Sequence, residues 1–359
     1  MLRETPAGAA GPAVLGVDLG GTNVRAGLVT QGGVVLERRA RPTPRGPGSA
    51  GQLVDFLRSS LAELTGHLGV AGHAADAGAT PPPSVRAAPA PGAGTGQDLL
   101  GVTGVVMGVP GSVDYQDQRV LVAPNLDREV VGALSADGLE AALGAPVELA
   151  NDADLAAVGE ATFGAGRTYR DVVYLTVSTG IGAGVVLGGR LVRGRRSAGE
   201  VGHTVLDACA LRAGQPATLE ELGAGPALER LARREGSNAG GAELARLALE
   251  GDARSAAILD EVAEAVALGV GNLALCFAPD VVVLGGGLGL APGFFPRVVT
   301  ALHALDRPAF DPAELAVVPS ALGDDAGLAG TGAWATAAGT SVQPAHPARG
   351  AGRPSRCAL

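Results

Sequence analysis

Apolar runs separated by glycine-rich turns mark the first half of the chain. Residues 14–18 predict a buried strand, and a Gly-Gly turn separates them from a second apolar run at 24–29. Leucines then recur at the spacing of one helix face, at Leu53, Leu57, Leu61, Leu64 and Leu68. Residues 102–109 predict a further strand, so this half combines strands with a helix.

The second half repeats the plan of the first. Residues 172–177 predict a strand, 178–182 a glycine-rich turn and 183–187 a second strand, roughly 160 residues after the first such unit. A helix is predicted at 256–277 and a strand at 281–284. Two related halves that face each other across a cleft would produce this repetition.

Two segments lack the side chains that a packed core needs. From about Val70 to Gln97 the sequence is mostly Ala, Pro and Gly, and the tail after about Ala338 has the same composition. Such segments bury too little apolar area to offset the entropy lost on ordering. We therefore expect a disordered insertion at about 70–97 and a disordered tail.

Composition narrows the possible functions. The chain has 359 residues, of which 47% are hydrophobic, enough for two domains with sizeable cores. Its net charge of −9 disfavours nucleic acid and anionic membranes as partners, because both are polyanions. All 27 basic residues are Arg, which excludes a Walker A lysine, a protein-kinase strand lysine and a Schiff-base lysine. A phosphate site must therefore use backbone N–H groups, hydroxyls, Arg and a metal ion.

Cysteine usage and hydropathy predict a cytoplasmic protein. Cys209, Cys276 and Cys357 are odd in number and far apart, which fits a reducing compartment better than a disulfide framework. No secretory signal pattern is visible. Residues 172–189 carry no charge, but glycines interrupt them, so two buried strands explain this segment better than a membrane helix.

Two glycine-rich turns are candidates for phosphate binding. The segment 18–23 (DLGGTN) follows a strand, and its glycines would let backbone N–H groups approach phosphate oxygens, with a Thr22 hydroxyl nearby. Asp18 could hold Mg²⁺ through water. The segment 178–184 (STGIGAG) is a second such turn, followed by a strand and not by the helix of a dinucleotide site. The alternative for each segment is a plain hairpin turn.

Polar residues at other strand ends and loops suggest a base and a polyol site. Asp152 follows the apolar run 146–150 and precedes an Ala-rich helix, where it could cap that helix or act as a general base. Glu200 and His203 lie in a Gly-spaced loop, and such groups suit the ring of hydroxyls on a hexose. Thr218 and Glu221 predict a capping box, which would leave Glu220 free to point elsewhere.

Taken in order, the motifs resemble the ROK family of sugar kinases and sugar-responsive repressors, in the actin–hexokinase–Hsp70 group. The motifs are DLGGT, GVPGSVD, APNL, NDAD, STGIGAG, AGEVGH, VVVLGGGL and GLAGTGA. They extend over roughly residues 14–335. Eight segments in the right order are far more specific than any one glycine pattern.

The resemblance implies an α/β fold with two ribonuclease-H-like domains of the actin/hexokinase type around a central cleft. The N-terminal domain would comprise residues 12–149, completed by a helix at about 323–338. The C-terminal domain would comprise residues 150–322 and carry the catalytic Asp and the second phosphate hairpin. Residues 339–359 would form the disordered tail.

The resemblance also implies roles for individual residues. Asp152 takes the place of the catalytic base. The sugar-binding positions are Gly111, Asn125, Asn151, Asp152, Glu200, His203 and Glu220. The ATP- and phosphate-binding positions are Asp18, Gly20, Gly21, Thr22, Asn23, Thr179, Gly180, Gly182, Gly184, Gly286 and Gly287, the last two at the adenosine site.

The implied activity is ATP-dependent phosphorylation of a hexose to its 6-phosphate, with Mg²⁺ arriving with ATP near Asp18 and glucose as the expected acceptor. The alternatives are a non-catalytic sugar sensor and a kinase for fructose, mannose or an N-acetylhexosamine. A repressor is less favoured, because only 13 residues precede Val14 and leave no room for a helix-turn-helix domain. The expected partners are hexose and ATP, without nucleic acid or membrane, and homodimerisation is left open.

One segment departs from the family pattern. Kinases of this family usually follow the GH motif with C-x-C-G-x-x-G-C-x-E, whose three cysteines join the His on a structural Zn²⁺. Here the stretch reads DACALRAGQPATLEE, in which only Cys209 remains and Thr218 stands at the last cysteine position. The tetrahedral ligand set is missing, so we expect no structural zinc. The loop 204–217 would then be held by packing or hydrogen bonds.

Overall fold

A computed structural model describes residues 12–72, 101–305 and 314–336 of the chain. Helix α1 (Ser49–Gly72) extends into the start of the expected insertion. The rest of that insertion and the predicted tail lie outside the described residues. No helix within the described ranges is both long and apolar enough to cross a membrane.

The first half is built on a five-stranded sheet. Its strands in chain order are β1 (Ala13–Leu19), β2 (Asn23–Thr30), β3 (Val35–Pro42), β4 (Val102–Val109), β5 (Ser112–Asp114), β6 (Arg119–Val122) and β7 (Val147–Asn151), and its further helices are α2 (Arg128–Ala133) and α3 (Ala136–Leu143). The sheet order is β3-β2-β1-β4-β7, with β5 and β6 in a separate two-stranded ribbon. The first three strands are antiparallel, whereas β4 and β7 run parallel to β1.

Helix α4 (Asp152–Thr162) leads into the second half, which has the same topology. The strands are β8 (Val172–Val177), β9 (Ile181–Leu187), β10 (Arg190–Leu191), β11 (Val281–Gly285) and β12 (Ala316–Pro319), in the order β10-β9-β8-β11-β12. The helices are α5 (Ala208–Arg212), α6 (Leu219–Gly223), α7 (Gly225–Arg234), α8 (Gly241–Leu249), α9 (Ala253–Phe277), α10 (Phe294–His303) and α11 (Ala326–Thr336). Two sheets of identical order confirm the predicted ribonuclease-H-like class.

Side chains along the central strands point alternately to the two faces of each sheet, and the apolar interior is thereby divided into three packed layers. Leu15 and Val17 face the layer under α1, whereas Val14 between them faces the layer between the two sheets. In the second half, Val172 and Tyr174 face the same middle layer, and Val173 faces the layer under α9. The helices α4 and α11 supply the middle layer, so both sheets pack on a shared pair of helices.

Three element ends differ from the sequence prediction. Strand β9 begins at Ile181, two residues earlier than predicted, because Ile181 pairs with Val177 across the turn. Helix α9 begins at Ala253, since the Asp252 side chain accepts a hydrogen bond from the Ser255 N–H and caps it there. The first three residues of the helix predicted at 323–338 form a 3-10 turn, and α11 begins at Ala326.

Two glycines allow α4 and α11 to cross in backbone contact. A Cβ atom added at Gly330 would lie 1.9 Å from the carbonyl oxygen of Leu155, and one at Gly159 would lie 2.3 Å from that of Ala326. Both distances are far below any real Cβ contact, so the crossing requires residues without a side chain. Because α4 begins at Asp152, this crossing positions the predicted base.

Candidate active site

The two glycine-rich hairpins line one cavity in the cleft. This cleft cavity has a volume of about 260 Å³. It is lined by Gly20, Gly21, Pro110, Gly111, Pro124, Asn125, Asn151, Asp152, Thr176, Ser178, Thr179, Gly180, Ile181, Gly182, Gly199, Glu200, His203 and Glu220. All of the predicted sugar-binding residues are among them, although they come from segments up to about 110 residues apart.

The β7–α4 junction positions Asn151 and Asp152. The Asn151 side-chain oxygen accepts hydrogen bonds from the N–H groups of Ala153 (3.0 Å) and Asp154 (3.1 Å) and caps α4. Its Nδ2 donates to the Gly111 carbonyl oxygen at 2.9 Å, which ties the cap to the neighbouring loop. Asp152 is the first residue of α4 and is not needed as the cap, so its carboxyl group is available to the cavity.

The surroundings of Asp152 make it a suitable proton acceptor. Burial raises the pKa of its carboxyl to about 7, and the like charges of Asp18, Asp154 and Glu200 act in the same direction. The Ala153 N–H, which donates to Asp152 Oδ1 at 2.8 Å, partly opposes this shift. A carboxylate with a pKa near neutrality accepts a proton from a hydroxyl more readily than an ordinary Asp does.

Two carboxylates and an imidazole line one part of the cleft cavity. Glu220 Oε2 accepts a hydrogen bond from the Ile181 N–H at 2.9 Å, which fixes this carboxylate against the second hairpin. The capping box between Thr218 and Glu221 is present, as predicted. Glu200 and His203 lie nearer the rim, with His203 Nε2 at 4.0 Å from Glu200 Oε2.

A second cavity, of about 240 Å³, lies on the other side of Asp152. Because predicted phosphate-binding residues line it, we call it the phosphate-side cavity. Its lining includes the predicted phosphate residues Asp18, Gly20, Gly286 and Gly287, together with Asp152, Thr176, Ser178 and Gly327. Thr22, in the turn, and Asn23, the first residue of β2, are exposed and line neither cavity. Gly184 lies in β9, where a Cβ atom would approach the Ala153 carbonyl oxygen to 2.5 Å, so it serves packing against α4.

Two charged residues of the phosphate-side cavity, Arg25 and Asp324, were not predicted from the sequence. Arg25 faces Asp18 across the β1–β2 pair and binds its carboxylate at 2.6 Å. Burial raises the pKa of Asp18, Arg25 opposes that effect, and Asp324 adds to it. The Asp18–Arg25 pair could have been found from the hairpin register, whereas Asp324 approaches only through the tertiary fold.

A third cavity is larger and mostly apolar. It has a volume of about 660 Å³ and shares Ser178 and Gly287 with the phosphate-side cavity. Residues from α7, α8 and the segment after β11 complete it, among them Gly225, Pro226, Leu228, Gly241, Ala242, Ala245, Leu288, Leu290 and Ala291. Its volume is that of a small-molecule site. Apart from Ser178, Thr179 and Gly287, its lining residues were not predicted, because three separate elements contribute them.

Hydrogen bonds hold the loop that lacks the family's cysteines. The Leu206 N–H donates to the Ala217 carbonyl oxygen at 2.8 Å, and the Leu219 N–H donates to that of Thr204 at 2.9 Å. Asp207 caps α5 by accepting from the N–H groups of Cys209 and Ala210. Within residues 12–72, 101–305 and 314–336, no three His, Cys, Asp or Glu side chains form a metal-binding group. The absence of zinc from the protein stays a prediction.

Two half-molecules of ribonuclease-H-like topology that enclose a carboxylate-lined cleft define a protein of the actin/hexokinase class. Residues 94–338 match the model of the ROK family, and the chain belongs to this family.

Sequence and structural similarity to several relatives extends over most of this chain. It is 34% identical over 348 residues to the bifunctional enzyme NanE/NanK of Brucella melitensis, covering 91% of this chain but only 55% of that protein, so it spans about half the length of this relative. It is 28% identical to the N-acetylmannosamine kinase of Yersinia pseudotuberculosis over 334 residues, 90% of this chain and 98% of that one. A ROK family glucokinase from Streptomyces griseus, solved with glucose and AMPPNP, superimposes with a TM-score of 0.65 at 29% identity over 89% of this chain and 98% of its own.

Proposed function

We propose that this protein is a sugar kinase that transfers the γ-phosphoryl group of ATP to a hexose, forming the hexose 6-phosphate. The observation that carries this proposal is the position of Asp152, which lines both the cleft cavity and the phosphate-side cavity. One cavity presents carboxylate, amide and imidazole groups, as a polyol requires, and the other presents glycine backbone. A base at their boundary lies where a sugar hydroxyl meets a phosphoryl group.

Asp152 acts as the general base of the proposed reaction. The sugar hydroxyl oxygen forms a bond to the γ-phosphorus, the bond from that phosphorus to the bridging oxygen of ADP breaks, and the hydroxyl proton passes to the Asp152 carboxylate. Glu200, His203 and Glu220 would orient the sugar by hydrogen bonds to its hydroxyls. Phosphoryl transfer needs alignment and charge neutralisation more than covalent help from the protein.

The nucleotide would extend from the phosphate-side cavity into the apolar cavity. Gly287 lines both cavities. Gly286 beside it lines the phosphate-side cavity, and there, with a φ of +82°, a Cβ atom would lie 2.5 Å from the Val177 carbonyl oxygen. Backbone N–H groups of both hairpins would bind the phosphates. The oxygen ligands that Mg²⁺ prefers are present on Asp18 and Asp324, and the ion would neutralise charge on the phosphates.

Glucose is the proposed acceptor, and the similarity to the glucose-bound kinase supports it. An N-acetylated hexosamine is the second candidate, because the similarity to N-acetylmannosamine kinase extends over nearly all of that protein. The retained Asp152 and both hairpins favour a catalyst over a non-catalytic sugar sensor.

A coupled assay of ADP release with ATP and Mg²⁺ tests the proposal. Glucose, mannose, fructose, N-acetylglucosamine and N-acetylmannosamine are compared at equal concentration, and ³¹P NMR identifies the phosphorylated carbon. The matched control is Asp152→Asn, which should lower ADP release by at least about a hundred-fold with every sugar. If the wild-type protein releases no ADP above the no-sugar rate with any of these acceptors, the proposal fails.

A further inference from the structure

A buried carboxyl group two residues after the base lines neither the cleft cavity nor the phosphate-side cavity. Asp154 is 0% exposed, and its Oδ2 accepts a hydrogen bond from the Tyr115 hydroxyl at 2.6 Å. Its Oδ1 is buried without a hydrogen bond of normal geometry in the described part of the chain. A buried, half-satisfied carboxyl destabilises a protein, so its presence calls for a role.

Tyr115 connects Asp154 to the end of β7, where the proposed sugar-binding residue Asn151 lies. The Tyr115 hydroxyl donates to Asp154 and accepts from the Asn151 N–H at 3.0 Å. Burial and the neighbouring Asp154 carboxylate raise the pKa of Tyr115 well above its usual range, so the hydroxyl keeps its proton for this bond. Tyr115 thus holds the β7–α4 junction from outside the cleft cavity.

Asp154 also faces the loop that carries Glu200. Burial raises the pKa of Asp154 to about 7, and the nearby Tyr115 and Ser197 hydroxyls partly oppose this rise. Ser197 Oγ in turn accepts a hydrogen bond from the Gly199 N–H at 3.1 Å. Glu200 follows directly, so this carboxyl lies between the two segments that bring Asn151 and Glu200 to the cavity.

The same loop is attached to the opposite half of the molecule through Tyr115. The Tyr115 N–H donates to the Arg195 carbonyl oxygen at 2.9 Å, and the Arg193 guanidinium lies 4.7 Å from the centre of the Tyr115 ring. Arg195 also binds Asp114 at 2.8 Å. Tyr115 follows β5 of the first half, whereas Arg193 and Arg195 follow β10 of the second, so these contacts bridge the two halves beside the cleft.

We propose that Tyr115 and Asp154 are positioning residues for the sugar, which hold Asn151 and the loop 197–200 at a fixed separation across the two halves. This inference rests on the proposed sugar kinase function. Neither residue lines the cavities of the cleft. Their effect on the sugar is therefore indirect, and the nucleotide side should be left unchanged.

Steady-state kinetics of four variants test the pair. Tyr115→Phe removes the hydroxyl and keeps the ring, Asp154→Ala removes the acceptor, and Asp154→Asn keeps an oxygen that can accept from Tyr115. Tyr169→Phe is the matched control, since Tyr169 is a half-buried tyrosine away from the cleft cavities. We expect Tyr115→Phe and Asp154→Ala to raise the sugar KM roughly ten-fold, the size expected for one unpaired buried group, with the ATP KM within about two-fold of wild type. Asp154→Asn should restore the sugar KM to within about three-fold of wild type.

Amide hydrogen exchange of the ligand-free protein gives a readout that does not depend on turnover. Residues 195–203 should exchange faster in Tyr115→Phe than in wild type, and Tyr169→Phe should leave them unchanged. Should Asp154→Ala fail to fold, Tyr115→Phe carries the test alone. An unchanged sugar KM with unchanged exchange, or sugar and ATP KM values that rise together, would overturn the inference. A wild-type protein that phosphorylates no sugar would instead overturn the proposed function, and the exchange result would then decide whether the pair positions the loop.

Discussion

Replacing Gly330 by Ala should destabilise the protein and slow it, because the added methyl group has no room between α4 and α11. The new Cβ atom would lie 1.9 Å from the Leu155 carbonyl oxygen, about 1 Å inside the 3.0 Å limit of real contacts. The obstacle is helix backbone and cannot rotate away, so the two helices must separate. Overpacking of this kind costs about 1–3 kcal/mol, and the higher helix propensity of Ala returns up to about 1 kcal/mol. Because the obstacle is backbone at 1.9 Å, the cost should lie at the upper end of this range, which leaves a net loss of about 2 kcal/mol.

The same Gly→Ala substitution at a position with free space should stabilise the protein instead of destabilising it. Gly132 lies in α2, has no heavy atom within 4 Å of a built Cβ atom, and does not adopt a positive φ. Gly132→Ala should therefore stabilise the protein by up to about 1 kcal/mol, through helix propensity and a less flexible unfolded chain. Comparing the two variants removes any general effect of exchanging Gly for Ala.

Thermal unfolding and activity measure the two consequences of Gly330→Ala. The entropy of unfolding is roughly 2.1 cal/mol/K per residue, so in a chain of this length a net loss of about 2 kcal/mol should lower Tm by roughly 3 °C, whereas Gly132→Ala should raise it slightly. Helix α4 begins at Asp152, and a displacement of about 1 Å at a reacting group can cost about 10²-fold in rate. We expect kcat of Gly330→Ala to fall at least ten-fold at a temperature where the variant is folded. An unchanged Tm, or equal shifts in both variants, would refute the argument from backbone contact.

Four further outcomes are expected. Asp152→Asn should lower kcat by about 10²–10⁴-fold with sugar affinity by calorimetry nearly unchanged, and retention of more than about a tenth of kcat would remove Asp152 from the role of base. Because its pKa is raised to about 7, Asp152 is protonated below that pH, so kcat/KM should fall about ten-fold per unit there, and a flat profile would contradict this. Thr218→Ala breaks the capping box with Glu221 and should lower the free energy of unfolding in urea by about 1 kcal/mol, and an unchanged value would contradict this. Elemental analysis should find no stoichiometric zinc, since His203 and Cys209 are the only good ligands between His203 and Glu220, and about one zinc per chain would disprove it.

Several features of the site followed from local sequence pattern. Strands β1 and β8 were predictable because short apolar runs end at glycine-rich turns, and the turn chemistry does not depend on distant residues. The capping box at Thr218 depends on two residues three positions apart and was likewise predictable. The predicted start of β9 was two residues too late, because Ile181 joins the strand by pairing with Val177, which composition does not reveal.

Other features were out of reach of local pattern. Asp324 reaches the phosphate-side cavity from a turn about 300 residues after Asp18. The apolar cavity is assembled from α7, α8 and the segment after β11, each of which has an ordinary sequence. Tyr115 was not singled out, because its partners Asp154 and Asn151 are nearly 40 residues away and an isolated tyrosine after a short strand has no distinctive signal.

The sequence by itself determined the secondary structure of the central strands, the two hairpins and the kinds of side chain at each turn, because these depend on periodicity and on the backbone freedom of neighbouring residues. Only the tertiary structure decided that Asp152 lies between two cavities and that its pKa rises to about 7. Burial comes from packing of α4 between both sheets, and the added charge comes from Asp18 and Glu200, which belong to opposite halves of the chain. Desolvation depends on burial and Coulomb repulsion on the distance between charges in space, and the separation of residues along the chain determines neither.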